Sequence, residues 1–180
     1  NKHITTGEGG MVLTNNKNFY DKVEYYKNQC FPLNGPRNFI HEDLGYKYRY
    51  TNLQAAIAYA QFIQLDELNQ KRIDVNTKYQ LALNEIEGIT FQANKSYAKN
   101  AFWMSCILID EQKTGFSRDD LESFLIKNNI QTRRLFVGMH NQPVLRKHGI
   151  NINNEFPISD YIANNGLYLP SSPQLKNEHI

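Results

Sequence analysis

At Gly88 the hydrophobic pattern of this chain changes period, and that change constrains the fold more than any other feature of the sequence. Before it, Leu65, Leu68, Val75, Tyr79, Ala82 and Ile86 fall on one stripe at helical spacing, which predicts an amphipathic helix over 65–87. Gly88 is placed to end that helix. After it, Ile89-Thr90-Phe91-Gln92 reads as a strand, and 102–109 is a continuous apolar run of the kind a buried strand presents. Ser117, with Asp120 three residues on, caps a helix reaching about Asn128, and 130–136 reads as the next strand. A loop with Gly138 and Pro143, a short helix over 159–164 and the segment Leu167-Tyr168-Leu169-Pro170 complete the pattern. Two strands, a helix, a strand and a helix describe a small α+β domain over 89–180.

The first 88 residues read differently. A Thr5-Thr6-Gly7-Glu8-Gly9-Gly10 turn precedes a strand-like run over 11–14, and Phe19, Val23 and Tyr26 give a helix over Lys17–Lys27. Residues 30–45, with Pro32, Gly35 and Pro36, read as a long loop, a kind of segment that often carries function. Thr51 and Gln54 form a capping-box pattern, and the helix it opens is thin, with Ala55, Ala56, Ala58 and Ala60 suited to close backbone packing. The chain lacks an initiator Met, and 177–180 reads as the opening of a helix, so the expectation is an internal piece of a longer protein.

Composition excludes several classes. At 41% hydrophobic and 21% charged, the 180 residues are those of a folded globular chain, and no apolar run approaches the roughly 18–20 residues a membrane-spanning helix needs. A formal charge of +2 is too small to argue for nucleic acid. Cys30 and Cys106 form no Cys-x-x-Cys pair and His3, His41, His148 and His179 have no metal-ligand spacing, so no metal is assigned and a reducing cytoplasm is the default.

Lys2 precedes the glycines, and a strand-like run follows them, which is the reverse of a phosphate-binding P-loop. A lysine amine has an ordinary pKa near 10.4 and needs burial or a cationic neighbour to act as a nucleophile, which position alone does not supply. The order of segments supplies more. Asn1-Lys2, then Ile4-Thr5-Thr6-Gly7-Glu8-Gly9-Gly10-Met11-Val12, Gly45-Tyr46-Lys47-Tyr48-Arg49-Tyr50-Thr51-Asn52, Ala55-Ala56-Ile57 and Gln61 resemble one family, and the likeness continues through Phe102-Trp103-Met104, Thr132-Arg133, Phe136, His140 and 166–171. It is the DegT/DnrJ/EryC/StrS family of sugar aminotransferases dependent on pyridoxal 5′-phosphate (PLP), and within it the branch acting on 4-keto-6-deoxyhexoses to give perosamine-type sugars.

The resemblance implies a fold class: α/β, the C-terminal portion of a fold-type-I PLP-dependent transferase. Residues 1–88 would be the end of the large α/β/α cofactor domain and 89–180 the small α+β domain. It implies that Lys2 anchors PLP covalently and shuttles protons, that L-glutamate donates the amine, and that a nucleotide-diphosphate 4-keto-6-deoxy sugar accepts it. Gly7, Gly9 and Gly10 would let the backbone turn close to the cofactor. Lys47 stands where the family has an Asn that reaches the PLP phosphate of a neighbouring subunit, so a homodimer with a shared site is implied, with Lys47 serving the phosphate as a point charge. Arg49 would position glutamate or phosphate, and Arg133 and His140 would meet the nucleotide sugar. Arg134, Val137 and Gly138 replace the usual Pro, Tyr and Pro beside them. Trp103 and Phe102 read as core. The alternatives are a dehydratase of the same family, whose members carry His in place of the anchoring lysine, or a piece serving only folding or dimerisation. The residues that stack on the pyridine ring would lie upstream of Lys2, so the isolated 180-residue chain is expected to be inactive.

Overall fold

A continuous apolar strand needs partners on both edges, and the run after Gly88 obtains them. In the computed structural model, which describes residues 2–36, 38–150 and 154–180, contacts divide the chain into two compact units, 1–65 and 66–180. Asn1, the first residue of the Lys2 motif, lies outside the described residues.

The second unit is built on an antiparallel sheet. Its strands are β1 (Ile89–Phe91), β2 (Ser105–Ile109), β3 (Arg133–Arg134) and β4 (Gly166–Leu169), in the order β1-β2-β4-β3. Alternation sorts the side chains: Ile107 and Ile109 of β2 join Leu167 and Leu169 of β4 in the core, while Cys106 and Tyr168, a register pair, face the other way. Against the core face lie Val75 and Tyr79 of the helix Leu65–Leu83 and, from the helix Arg118–Lys127, Leu121 and Leu125. Ser117 caps the latter helix through a capping box with Asp120.

The long helix also buries Arg72 and Asn76. Arg72 donates to the carbonyls of Trp103 (2.9 Å) and Ser171 (3.3 Å), which ties the segments flanking β2 and β4 to the helix. Ser171 reinforces the tie, since its Oγ accepts the Ser105 amide at 2.8 Å. Desolvation is what pulls the Arg72 pKa below its ordinary value. The helix ends at Leu83, before the 87 its stripe predicts; Ile86 lies beyond it and is exposed, and within the last turn Ala82 faces out while Leu83 takes the place against the core. Because this helix packs on the sheet, the boundary between compact units falls at its first residue, Leu65.

The first unit contains two helices, α1 (Lys17–Lys27) and α2 (Asn52–Phe62), which makes the long helix α3. Asn16 caps α1, and Thr51 opens α2 with the expected capping box to Gln54. Residues 30–45 form the expected loop, whose return passes beside the end of α1: Tyr46 and Tyr48 donate their amides to the carbonyls of Tyr26 (2.7 Å) and Lys27 (3.0 Å). These bonds satisfy orphan acceptors of the helix C-terminus.

Two expected strands are corrected. Residues 11–14 form no strand, because no described segment pairs with their backbone, and Leu13 is 86% exposed. The run 130–136 is a strand only over Arg133–Arg134, where β4 offers register partners. The helix α4 (Glu111–Thr114) precedes the Ser117 helix, α5, and the sequence reading missed α6 (Pro143–Lys147). The expected helix over 159–164 is α7 (Pro157–Asn165). Among the described residues no helix is long and apolar enough to cross a membrane.

Burial fixes the mutational contrast. Ile109 is fully buried, so Ile109→Ala is expected to lower the unfolding free energy by about 2–5 kcal/mol in urea titrations. Ile158→Ala, at a side chain 75% exposed, should change it by less than about 0.5 kcal/mol.

Candidate active site

Lys2 is exposed and leads directly into the glycine turn. The turn is fixed by α2. Gln61 pairs both polar groups of the Thr5 backbone: its Oε1 accepts the Thr5 amide at 3.0 Å, and its Nε2 donates to the Thr5 carbonyl at 2.7 Å. Gln54 Nε2 donates to the Glu8 carbonyl at 3.3 Å, which the Thr6 hydroxyl also reaches, at 2.8 Å.

The three glycines have different reasons to be there. Gly7 takes a left-handed φ of 81°, where a side chain is strained. A Cβ on Gly9 would sit 2.6 Å from Tyr50 Oη and 2.9 Å from Thr6 Oγ1, so the phenol packs where a side chain would be. Gly10 has open space around it.

Beside the turn lies an open cleft of about 1150 Å³. Gly9 and Gly10 line one part of it, and Lys47, Arg49 and Tyr50 another. Lys47 is held by the backbone pairing of the 46–48 segment with the end of α1, where it bridges to Asn28. Tyr46 and Tyr48 stack at 5.1 Å, and Lys47 and Arg49 alternate with them along the chain. Among the described residues neither the Lys47 amine nor the Arg49 guanidinium has a carboxylate partner, whereas the nearby Lys27 is paired with Glu24. Two unpaired cations in a concave wall suit a phosphate or a carboxylate. Lys2 does not line this cleft.

In the second unit, alternation along β3 separates the two arginines. Arg134 reaches α5 and pairs with Glu122 (2.7 Å) and Asp119 (3.2 Å); the hydrogen bond it donates to Glu122 holds its pKa above the ordinary value. Arg133 pairs in register with Tyr168, so it belongs to the opposite face, and it has no ion-pair partner among the described residues. On that face an apolar hollow of about 610 Å³ is lined by Trp103, Cys106, Ile162 and Tyr168. Burial pushes the Cys106 thiol up to about 11, which keeps it protonated and unreactive. Trp103 thus lines a hollow, although the sequence reading puts it in the core; Phe102 is buried as expected.

His140 lies in a single 3₁₀ turn, Met139–Asn141. Its Nε2 donates to Asp160 of α7 at 2.8 Å, Asn141 donates to the same oxygen at 2.6 Å, and the ring lies 4.8 Å from Phe156. The bond from His140 holds the Asp160 carboxyl below its ordinary 3.8. A Cβ on Gly138 would meet His140 Cε1 at 2.4 Å and Nδ1 at 2.7 Å, so glycine is what lets the ring lie there. The structure therefore gathers Lys47 and Arg49 with the glycine turn, and holds His140 on Asp160 apart from any hydrogen bond to Arg133. Sequence reasoning missed Gln54, Tyr50 and Asp160 as the residues that fix these groups; Gln54 was visible only as a helix cap.

Residues 1–180 match the model of the DegT/DnrJ/EryC1/StrS aminotransferase family. The chain is 33% identical over 184 residues to GDP-perosamine synthase of Escherichia coli O157:H7, covering all of this chain and 46% of that protein. A Helicobacter pylori aminotransferase involved in the biosynthesis of pseudoaminic acid superposes with a TM-score of 0.85 at 18% identity, over 98% of this chain and 47% of the other. An E. coli GDP-4-keto-6-deoxy-D-mannose-3-dehydratase with bound hydrated PLP gives 0.81 at 19%, over 95% and 48%. The chain thus spans about half the length of the relatives it matches, and its α/β fold is that of the C-terminal portion of these enzymes.

Two outcomes follow from the geometry. Gly9→Ala should cost about 1–3 kcal/mol, and adding Tyr50→Phe should recover part of that loss, as read from a double-mutant cycle in denaturant. His140→Ala should raise the Asp160 pKa towards 3.8, as followed by NMR of its carboxyl carbon. A lowered carboxyl pKa contributes stability above the unfolded value and loses it as pH falls through the folded one, so wild type and variant should converge in stability only in that acid window.

Proposed function

The chain belongs to the DegT/DnrJ/EryC1/StrS aminotransferase family, and from that premise we propose that the full-length protein is a PLP-dependent nucleotide-sugar 4-aminotransferase. It would move the amino group of L-glutamate to a nucleotide-diphosphate 4-keto-6-deoxyhexose and so form a perosamine- or viosamine-type sugar for surface glycans such as O-antigen. The observation that carries this reading is the 33% identity to GDP-perosamine synthase along the whole chain.

The residues present fit the cofactor. A primary amine stands next to a turn whose Gly9 has no room for a Cβ, and two cations without carboxylate partners share one cleft. PLP supplies an electron sink and carries the amino group between the two substrates. Lys2 would hold it and, when displaced, would move the proton as a base. Lys47 and Arg49 would offer positive charge to the cofactor phosphate or the glutamate carboxylate. Arg133, without an ion-pair partner among the described residues and on the Tyr168 face of the sheet, suits a diphosphate, and His140, steadied by Asp160, would donate to or accept from the sugar.

A homodimer whose subunits share a site is part of this reading, because in the resembled family the position of Lys47 serves the cofactor of the neighbouring subunit. We assign 1–88 to the end of the large domain and 89–180 to the small one, and place the reaction in the cytoplasm, where nucleotide sugars and glutamate are made. A second reading, a sugar dehydratase, is supported by the superposition on the E. coli 3-dehydratase; Lys2 in the anchoring position speaks against it.

The test is covalent trapping. Borohydride reduction of the PLP-loaded full-length protein should attach the cofactor to the Lys2 peptide, as read by mass spectrometry. In Lys2→Ala that adduct should vanish, with sugar amination falling by at least about 10³-fold. Trapping on another lysine, with amination intact, would contradict the proposal.

A further inference from the structure

Gln54 and Gln61 stand two turns apart on α2, so they share a face, and both spend their carboxamides on the backbone of the turn behind Lys2. Gln61 meets Thr5 with one acceptor and one donor, as a neighbouring strand would. Gln54 is divided: its Oε1 accepts the Thr51 amide in the capping box at 3.2 Å, and its Nε2 reaches out to the Glu8 carbonyl.

We propose that Gln54 and Gln61 are positioning residues that set where the Lys2 amine is presented to the cofactor, an inference that rests on the reading of Lys2 as the anchor. A lysine side chain is long and flexible, so the reach of its amine depends on the backbone that carries it. That backbone is gripped three residues away, at Thr5, and again at Glu8. The grip needs a carboxamide. A carboxylate of the same shape has acceptors only, so it keeps the bond to an amide and repels a carbonyl. Helix capping needs only the acceptor half of Gln54, and a glutamate would serve it equally well. The donor half is therefore unexplained by α2 and explained by the turn.

That difference makes Gln→Glu a selective probe in the full-length protein. Thr51→Ala is the control, since it weakens the start of α2 without removing either donor to the turn. The readouts are PLP affinity from fluorescence titration, borohydride-trapped cofactor on the Lys2 peptide, and the pH midpoint of the absorbance of the bound cofactor. Q54E and Q61E are expected to weaken PLP binding about tenfold or more and to shift that midpoint, because one hydrogen bond to the turn becomes a repulsion. Thr51→Ala is expected to lower the melting temperature and leave the midpoint unchanged. Wild-type affinity and midpoint in Q54E and Q61E, with trapping still abolished by Lys2→Ala, would overturn the positioning role alone. Trapping that survives Lys2→Ala would instead overturn the anchor reading. Should Q61E fail to fold, Q54E decides the matter, since its capping box is retained.

Discussion

The paired hydrogen bonds between Gln61 and the Thr5 backbone carry an unusual share of the organisation of the first unit. Of its described residues only Cys30 and Phe31 are buried, so hydrophobic packing within the unit does little to define the course of the N-terminal segment. Directional bonds do that instead: two from Gln61, one from Gln54, and a close approach of the Tyr50 ring to Gly9. Each net hydrogen bond of this kind contributes only about 0.5–1.5 kcal/mol, but together they leave the turn one path. The same helix start is locked by the Thr51 capping box, so a local signal in α2 is passed on to the turn after Lys2.

The second unit works by the opposite means. Its sheet has a core face filled by Ile107, Ile109, Leu167 and Leu169, and strand alternation sends everything else to the other side. This is why adjacent arginines have different fates. Arg134 is neutralised by Glu122 and Asp119 of α5, and Arg133 is left available on the face of Tyr168. A buried guanidinium, Arg72, then ties the ends of the central strands to α3 through the carbonyls of Trp103 and Ser171. Positioning His140 needs a Gly at 138, two residues before it, and a carboxylate partner, Asp160, and an aromatic wall, Phe156, both from the start of α7.

Helices with local start signals were legible in the sequence, because the information lies within four residues: Thr51 with Gln54 and Ser117 with Asp120 form the capping boxes they spell. The α3 stripe was legible through Val75 and Tyr79 and misleading at Ala82, which faces out inside the helix, and at Ile86, where the apolar pattern runs on beyond the helix end. Strands were harder. The run 11–14 has strand composition and no described partner, while 130–136 has partners only at Arg133 and Arg134. The candidate site divides likewise: Lys2, Lys47, Arg49, Arg133 and His140 could be named from motif order. Gln54's second bond and the Asp160 contact could not, since they join residues 46 and 20 positions apart.

The proposed activity is amine transfer to a sugar, with Lys2 as the proposed anchor of the cofactor. Its most direct test is to incubate the full-length protein and PLP with L-glutamate labelled at the amino nitrogen and a GDP-4-keto-6-deoxyhexose, and to weigh the sugar product. A labelled amino sugar, absent from the Lys2→Ala reaction, is the predicted result. A deoxygenated sugar without the label, or unchanged substrate with a folded, PLP-loaded protein, would contradict it.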